Sequence, residues 1–504
     1  MRRPSRLIPL VLALVACKPE ASPVEPPIVS SVAEQDQSEE SSALPHHYWI
    51  GSLALPNNQG LDWAIAIEPP PDDPKAASVA TLWIPEQMLI RQPVGTPIRA
   101  EDGSLKVSLA AVNATWTITP GDSPSCKFEQ QGVELDCDLE AVDAEEFAEL
   151  MIPARPQNPK PPFPYDVQIV RIDNDAAPGV HLAATLTMPP GDGPHPGVVL
   201  ISGSGLQDRD ETILDHKPFW IIADHLTRNG FAVLRYDDRG FAESTGDGAT
   251  ATLEDFASDA HAAAQWLSNH RAIDHDRVGL IGHSEGGVIA PRVAVDHPDA
   301  VDFMVLLAGT GVPGNEIVVH QLGLIMKAAG ADDATIERKQ KAARLQHRAL
   351  LDSAPGKVKA ALEQAIRASF EELTAAEREA LGDVDSLVAS RVAALTSPWM
   401  AHFLAYDPIP ALKQVRVPVL ILAGDKDLQV DPEQNLPPMK AALSKNPAVE
   451  VVRFAGLNHL FQPAKTGSPN EYATIEQTIA VEVLERMTTW LEATTASEPA
   501  GAQR

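Results

Sequence analysis

The stretch Val278-Gly279-Leu280-Ile281-Gly282-His283-Ser284-Glu285-Gly286-Gly287 decides how the rest of the chain is read. It opens with an apolar run that suits a strand buried on both faces. It then turns through the pattern G-x-S-x-G into residues 286–296, whose spacing predicts a helix. A serine hydroxyl is a weak nucleophile until something presents and deprotonates it. A sharp strand-to-helix turn presents it, and such a turn admits only small neighbours, which accounts for Gly282 and Gly286. The start of the helix adds unpaired N–H groups facing developing negative charge. Ser284 is therefore the expected nucleophile. The pentapeptide recurs by chance, and its weight comes from lying between an apolar strand and a helix.

Outward from this turn the chain alternates between strand and helix. Residues 166–173 and 180–188 read as a leading pair of strands, and 197–202, 231–236, 303–308, 417–423 and 449–454 as further strands. Residues 216–229, 253–268 and 475–491 read as helices. Alternation of this kind implies a mostly parallel sheet with helices on both faces. Residues 316–395 break the rhythm, being rich in Ala, Glu, Lys, Arg, Leu and Gln with no strand signal. An insertion at the carboxyl ends of parallel strands lies where ligands bind, so this segment, about 315–396, is expected to be a helical lid.

A serine nucleophile needs a base and an acid that orients it. His459 lies in Gly456-Leu457-Asn458-His459, just after the last expected strand. Two acids compete in Gly424-Asp425-Lys426-Asp427, which directly follows another strand: Asp425 and Asp427. Backbone donors for an oxyanion are expected from Glu285, the residue after the nucleophile, and from the loop Gly203-Ser204-Gly205-Leu206. Within that loop the residues favour the N–H of Ser204 or of Gly205 without choosing between them.

These segments, with Gln207-Asp208-Arg209-Asp210, Arg235-Tyr236-Asp237-Asp238-Arg239-Gly240 and Gly424-x-x-Asp427-x-Gln429-Val430, resemble bacterial α/β-hydrolase carboxylesterases that carry a helical lid. The resemblance implies an α/β-hydrolase fold and ester cleavage through an acyl-enzyme on Ser284, with no cofactor and no metal. Its pattern G-x-x-D-x-x-V places the acid at Asp427. It also implies that Asp237 and Arg239 brace the sheet edge. The chain departs from the usual Gly-x-Gly-x-Ser at Gly240-Phe241-Ala242-Glu243-Ser244. A serine peptidase or a thioesterase on the same fold is the alternative reading, and a non-catalytic binding scaffold is a third.

Toward the N-terminus, residues 46–152 show short β-rich segments (48–55, 62–67, 79–84, 105–109, 115–119 and 133–139) separated by turn signals. They read as a small all-β domain, joined by a Pro-rich linker at 153–164 to a hydrolase domain over 165–492, with a flexible tail at 493–504. Arg2, Arg3 and Arg6 followed by a short apolar run read as an export signal over residues 1–16. Leu14-Val15-Ala16-Cys17 resembles the lipobox of bacterial lipoproteins, so Cys17 is the expected lipidation site, with residues 17–45 a disordered tether. The expected location is a lipid anchor at a bacterial membrane, on the periplasmic face or at the outer membrane. The two other cysteines, Cys126 and Cys137, form an even pair in an oxidising compartment, which fits one disulfide. A formal net charge of −29 repels nucleic acid phosphate. The expected partners are therefore a small ester substrate and, through the N-terminal lipid only, a membrane.

Overall fold

The computed structural model describes residues 47–496 except 55–59, 69–77, 85–88, 110–113, 122–123, 131–132, 152–153, 374–377 and 379–382. The expected signal peptide, Cys17, the tether and residues 497–504 lie outside the described residues. The chain divides into two compact units that meet between Ala154 and Arg155. No helix among the described residues is long and apolar enough to cross a membrane.

The first unit is an antiparallel sheet of nine strands. They are β1 (His47–Ala54), β2 (Gly60–Glu68), β3 (Val79–Ile84), β4 (Leu89–Gly95), β5 (Ile98–Arg99), β6 (Leu105–Leu109), β7 (Ala114–Thr119), β8 (Ser125–Gln130) and β9 (Val133–Val142). The order is β4-β3-β2-β1-β9-β8-β7-β6-β5. Alternate residues point inward, as the period of a strand requires, and bury Trp49, Trp63, Leu105, Trp116 and Ile118. Cys126 on β8 stands opposite Cys137 on β9, and the two are joined by a disulfide. Strands β4, β5 and β8 were not among the six expected. β4 contains Pro93, which strand interiors disfavour, and β8 alternates but with only Cys126 and Phe128 as apolar residues, a short and weak signal.

The second unit holds an eight-stranded mixed sheet. Its strands are β10 (Asp166–Asp173), β11 (His181–Met188), β12 (His195–Ile201), β13 (Ala232–Tyr236), β14 (Ile273–His283), β15 (Phe303–Leu307), β16 (Val419–Gly424) and β17 (Val449–Phe454). The order is β10-β11-β13-β12-β14-β15-β16-β17. β10 and β11 run antiparallel, and the six strands from β13 to β17 pair in parallel. β12 shows why its sequence is continuously apolar: Val199 and Ile201 enter the core on one face of the sheet, Val198 and Leu200 the core on the other. Helices Leu253–Ser268 and Gly286–Asp296 cover the first face. Helices Pro218–Arg228 and Val481–Ala496 cover the second.

Between β15 and β16 come helices Gly314–Ala328, Asp333–Leu351, Val358–Glu371 and Val384–Leu395, with a small core of their own that includes Leu362, Ile366, Val388 and Val392. The helical insertion runs beyond the expected end near 396, through Pro398–Ala405 and Ile409–Leu412. Ser397-Pro398 starts a further helix. The Ser397 hydroxyl caps the Met400 N–H, and Pro398 takes the first helical position, where its missing N–H costs nothing.

Two further expectations are corrected. The closing helix begins at Val481, not 475, and continues to Ala496, into the expected tail. The second part of the expected linker is docked rather than free. Arg155 donates to the carbonyls of Leu214, Ala473 and Ile475. The Gln157 side chain accepts from the N–H groups of Thr478 and Ile479 and donates to the Ile479 carbonyl. Residues 469–474 form a short 3₁₀ helix instead, and the Thr478 and Ile479 N–H groups, taken by Gln157, cannot also close the first turn of a helix begun at 475.

Candidate active site

Parallel pairing brings the ends of β12, β14, β16 and β17 to one edge, so the loops that follow them converge. Ile201 pairs with Gly282, and the turn begins one residue later. Ser284 sits at φ +52, a left-handed conformation that costs a residue with a β-carbon roughly 1–3 kcal/mol. The surroundings enforce it. The Ser284 N–H donates to the Leu307 carbonyl of β15 at 2.8 Å, and the Gly287 N–H to the Ser284 carbonyl at 3.0 Å. A β-carbon on Gly282 would collide with the Gly286 carbonyl, and one on Gly286 with the Ile201 carbonyl of β12.

His459 follows β17 and is 4% exposed. Its Nδ1 lies 2.7 Å from Oδ2 of Asp427, a side chain 2% exposed. The other Asp427 oxygen accepts from the N–H groups of Gln429 and Val430, both at 2.8 Å. These bonds fix the carboxylate as an acceptor toward the ring, so Nδ1 carries the proton and Nε2 is left as the basic nitrogen. Asp425, the competing acid, accepts instead from the Gly456 N–H at 2.6 Å and braces the turn before His459.

After β12, Gly205 adopts φ +93, which glycine takes without strain. The Gly203 N–H is used, donating to Glu211 Oε1 at 2.8 Å. Among the described residues the N–H groups of Ser204, Gly205 and Glu285 meet no acceptor of the chain. The loop is pinned further along. The Gln207 N–H donates to buried Asp238, and the Arg209 backbone and guanidinium donate to Asp237. Arg239 donates to Asp255 and Asp259 of helix Leu253–Ser268. Asp237 and Arg239 thus hold backbone and helix together at the sheet edge.

Four side chains that the sequence reading gave no role stand beside it. Glu211, at φ +52 and 1% exposed, faces Nδ1 of His283 at 2.8 Å. Burial disfavours charge on the His283 ring, but the Glu211 carboxylate and the His459 carbonyl outweigh it and hold its pKa above the ordinary histidine value. Burial pushes the Glu285 carboxyl up to about 7, against the hydrogen bond from the Trp399 indole, which acts the other way. Trp399, from the helix Pro398–Ala405, reaches Glu285 at 2.8 Å. Glu211 and His283 left a sequence signal, Glu211 right after the quoted Gln207-Asp208-Arg209-Asp210 and His283 inside the quoted elbow.

Residues 197–466, more than half of the chain, fit the alpha/beta hydrolase fold family model. The chain belongs to the alpha/beta hydrolase fold family. The chain is 30% identical over 297 residues to esterase EstD of Thermotoga maritima, covering 58% of this chain and 61% of that protein. It thus spans less than two thirds of that relative's length. It is 30% identical over 126 residues to a putative carbamate hydrolase, RutD, of Cronobacter turicensis, covering 23% of this chain and 40% of that one. Among solved structures it is similar to the Pyrococcus furiosus esterase Pf2001, at 16% identity and a TM-score of 0.38, covering 65% of this chain and 90% of the other.

Proposed function

We propose that this hydrolase is a serine carboxylesterase with Ser284 as nucleophile, His459 as base and Asp427 as the acid that orients it. The observation that carries the reading is the His459–Asp427 bond at 2.7 Å, buried at the same sheet edge as a serine held in a left-handed turn. His459 Nε2 takes the Ser284 proton as Oγ attacks the ester carbonyl. The oxyanion that forms is held by the Glu285 N–H and by the N–H of Ser204 or Gly205. His459 then returns the proton to the leaving alcohol. Water attacks the acyl-enzyme by the same route and frees Ser284. No step calls on a cofactor or metal. Ester substrates, rather than amides or thioesters, are favoured by the likeness to EstD, an esterase by name.

The helical insertion acts as a lid, and its support is the Trp399–Glu285 bond, which joins it to the residue after the nucleophile. Lipidation of Cys17 anchors the enzyme at a bacterial membrane after export, a location in which a Cys126–Cys137 disulfide is stable. Ser284→Ala tests the activity. It abolishes both p-nitrophenyl ester turnover and fluorophosphonate labelling, and a variant that keeps either would end the reading.

A further inference from the structure

The three loops that make up the proposed site are joined by one buried chain of hydrogen bonds. The Gly203 N–H, in the oxyanion loop after β12, donates to Glu211 Oε1 at 2.8 Å. The same oxygen lies 2.8 Å from Nδ1 of His283, the residue before the nucleophile. The other ring nitrogen, Nε2, lies 3.1 Å from the His459 carbonyl oxygen, on the backbone of the base. Glu211 is 1% exposed and His283 5%, so water does not compete for these bonds.

The chemistry of the ends dictates the state of the middle. A carbonyl oxygen only accepts, and an ionised carboxylate only accepts. Against an ionised Glu211, both His283 nitrogens satisfy their partners only when both carry protons. An imidazolium paired with a carboxylate makes all three bonds, and a neutral ring beside an ionised Glu211 must leave one of its two acceptors facing a lone pair. The charged pair is compensated internally, which a buried charge requires.

Glu211 is itself held in place rather than merely near. Its N–H donates to the Asp208 carbonyl, and the Asp208 carboxylate accepts from the N–H groups of Asp210 and Thr212 on either side. Asp210 in turn is paired with Arg235 on β13 and with Lys217. The left-handed turn at 211 is thus braced from the sheet, and it aims one carboxylate oxygen at two loops.

We propose that Glu211 and His283 form a buried positioning pair that sets the distance between oxyanion loop, nucleophile and base. Neither residue reacts. Glu211 fixes the loop whose next N–H groups, at Ser204 and Gly205, are free for an oxyanion. His283 ties the nucleophile's own strand to the backbone of the base, so that Ser284 and His459 stay in register. A displacement of about 1 Å among such groups costs on the order of 100-fold in rate.

The proposal rests on the serine esterase reading, and its test separates the two. Full-length wild type, Glu211→Gln, Glu211→Ala and Ser284→Ala are compared on p-nitrophenyl butyrate, with active sites counted by fluorophosphonate titration. Glu211→Gln keeps the side-chain shape but cannot hold a charged ring. Its kcat per titrated site is expected to fall roughly 100-fold with KM within about twofold, and Glu211→Ala falls at least as far. A Glu211→Gln enzyme with wild-type kcat per site, beside an inactive Ser284→Ala, overturns the positioning role alone. An active Ser284→Ala overturns the esterase reading, and the positioning role with it. A second measurement reads the wild type itself and uses one variant for assignment alone. Nitrogen NMR of the wild type labelled in histidine, with His283 assigned by His283→Gln, should show one ring with both nitrogens protonated at neutral pH. A His283 ring with one unprotonated nitrogen refutes the pair.

Discussion

Glu285→Gln should make the protein more stable at neutral and alkaline pH and leave its stability at pH 4 nearly unchanged. The Glu285 side chain is 3% exposed, and burial pushes its pKa from an ordinary 4.5 up to about 7. Between those two values the native chain keeps a proton that the unfolded chain has released. Stability therefore falls as pH rises from about 4.5 to about 7, and runs level above that. At about 1.4 kcal/mol per pH unit, the window is worth roughly 3 kcal/mol. Glutamine has the same shape, its carbonyl still accepts from Trp399, and it carries no charge to bury. The stability difference between variant and wild type should thus climb by roughly 3 kcal/mol across the window. With an unfolding entropy of about 2 cal/mol/K per residue, a unit of roughly 350 residues gains about 4 °C in Tm at pH 8. The assay is differential scanning calorimetry of both proteins from pH 4 to pH 8.5, following the transition of the larger unit. Two curves that stay parallel over the whole range would refute the argument, because they would mean that Glu285 does not take up its proton on folding.

Three other outcomes follow from the geometry. Asp427→Asn presents an amide to His459 Nδ1 and stabilises the wrong tautomer; kcat should drop by about 10⁴ with little change in KM, whereas Asp425→Asn should stay within about twofold of wild type because its carboxylate serves the Gly456 N–H. Gly282→Ala sets a β-carbon against the Gly286 carbonyl, which is backbone and cannot swing aside; it should lose about 1–3 kcal/mol in denaturant unfolding and label poorly with fluorophosphonate. Replacing both Cys126 and Cys137 by Ala opens a cross-link between residues 11 apart and should cost the β-sheet unit about 3 kcal/mol, measured as an earlier unfolding transition with ester turnover unchanged.

The sequence by itself determined the elements whose signals are local. The apolar run before Gly282, the glycines around Ser284 and the alternation of strand and helix all act within a few residues, so periodicity and turn chemistry reveal them. The place of His459 after β17 and the two acids after β16 were legible for the same reason, since the carboxyl ends of parallel strands share an edge. Tertiary structure alone decided what depends on partners far apart in the chain. Glu211 and His283 lie 72 positions apart, Trp399 and Glu285 114, and Gln157 and Thr478 321. Nothing in residues 475–480 announces that Gln157 will hold their N–H groups and so keep them out of the helix. Local patterns record what a residue does to its neighbours along the chain. Which acid faces an imidazole, and which buried carboxyl keeps its proton, is set by distance and by exclusion of water, and those exist only once the sheet has closed around the site.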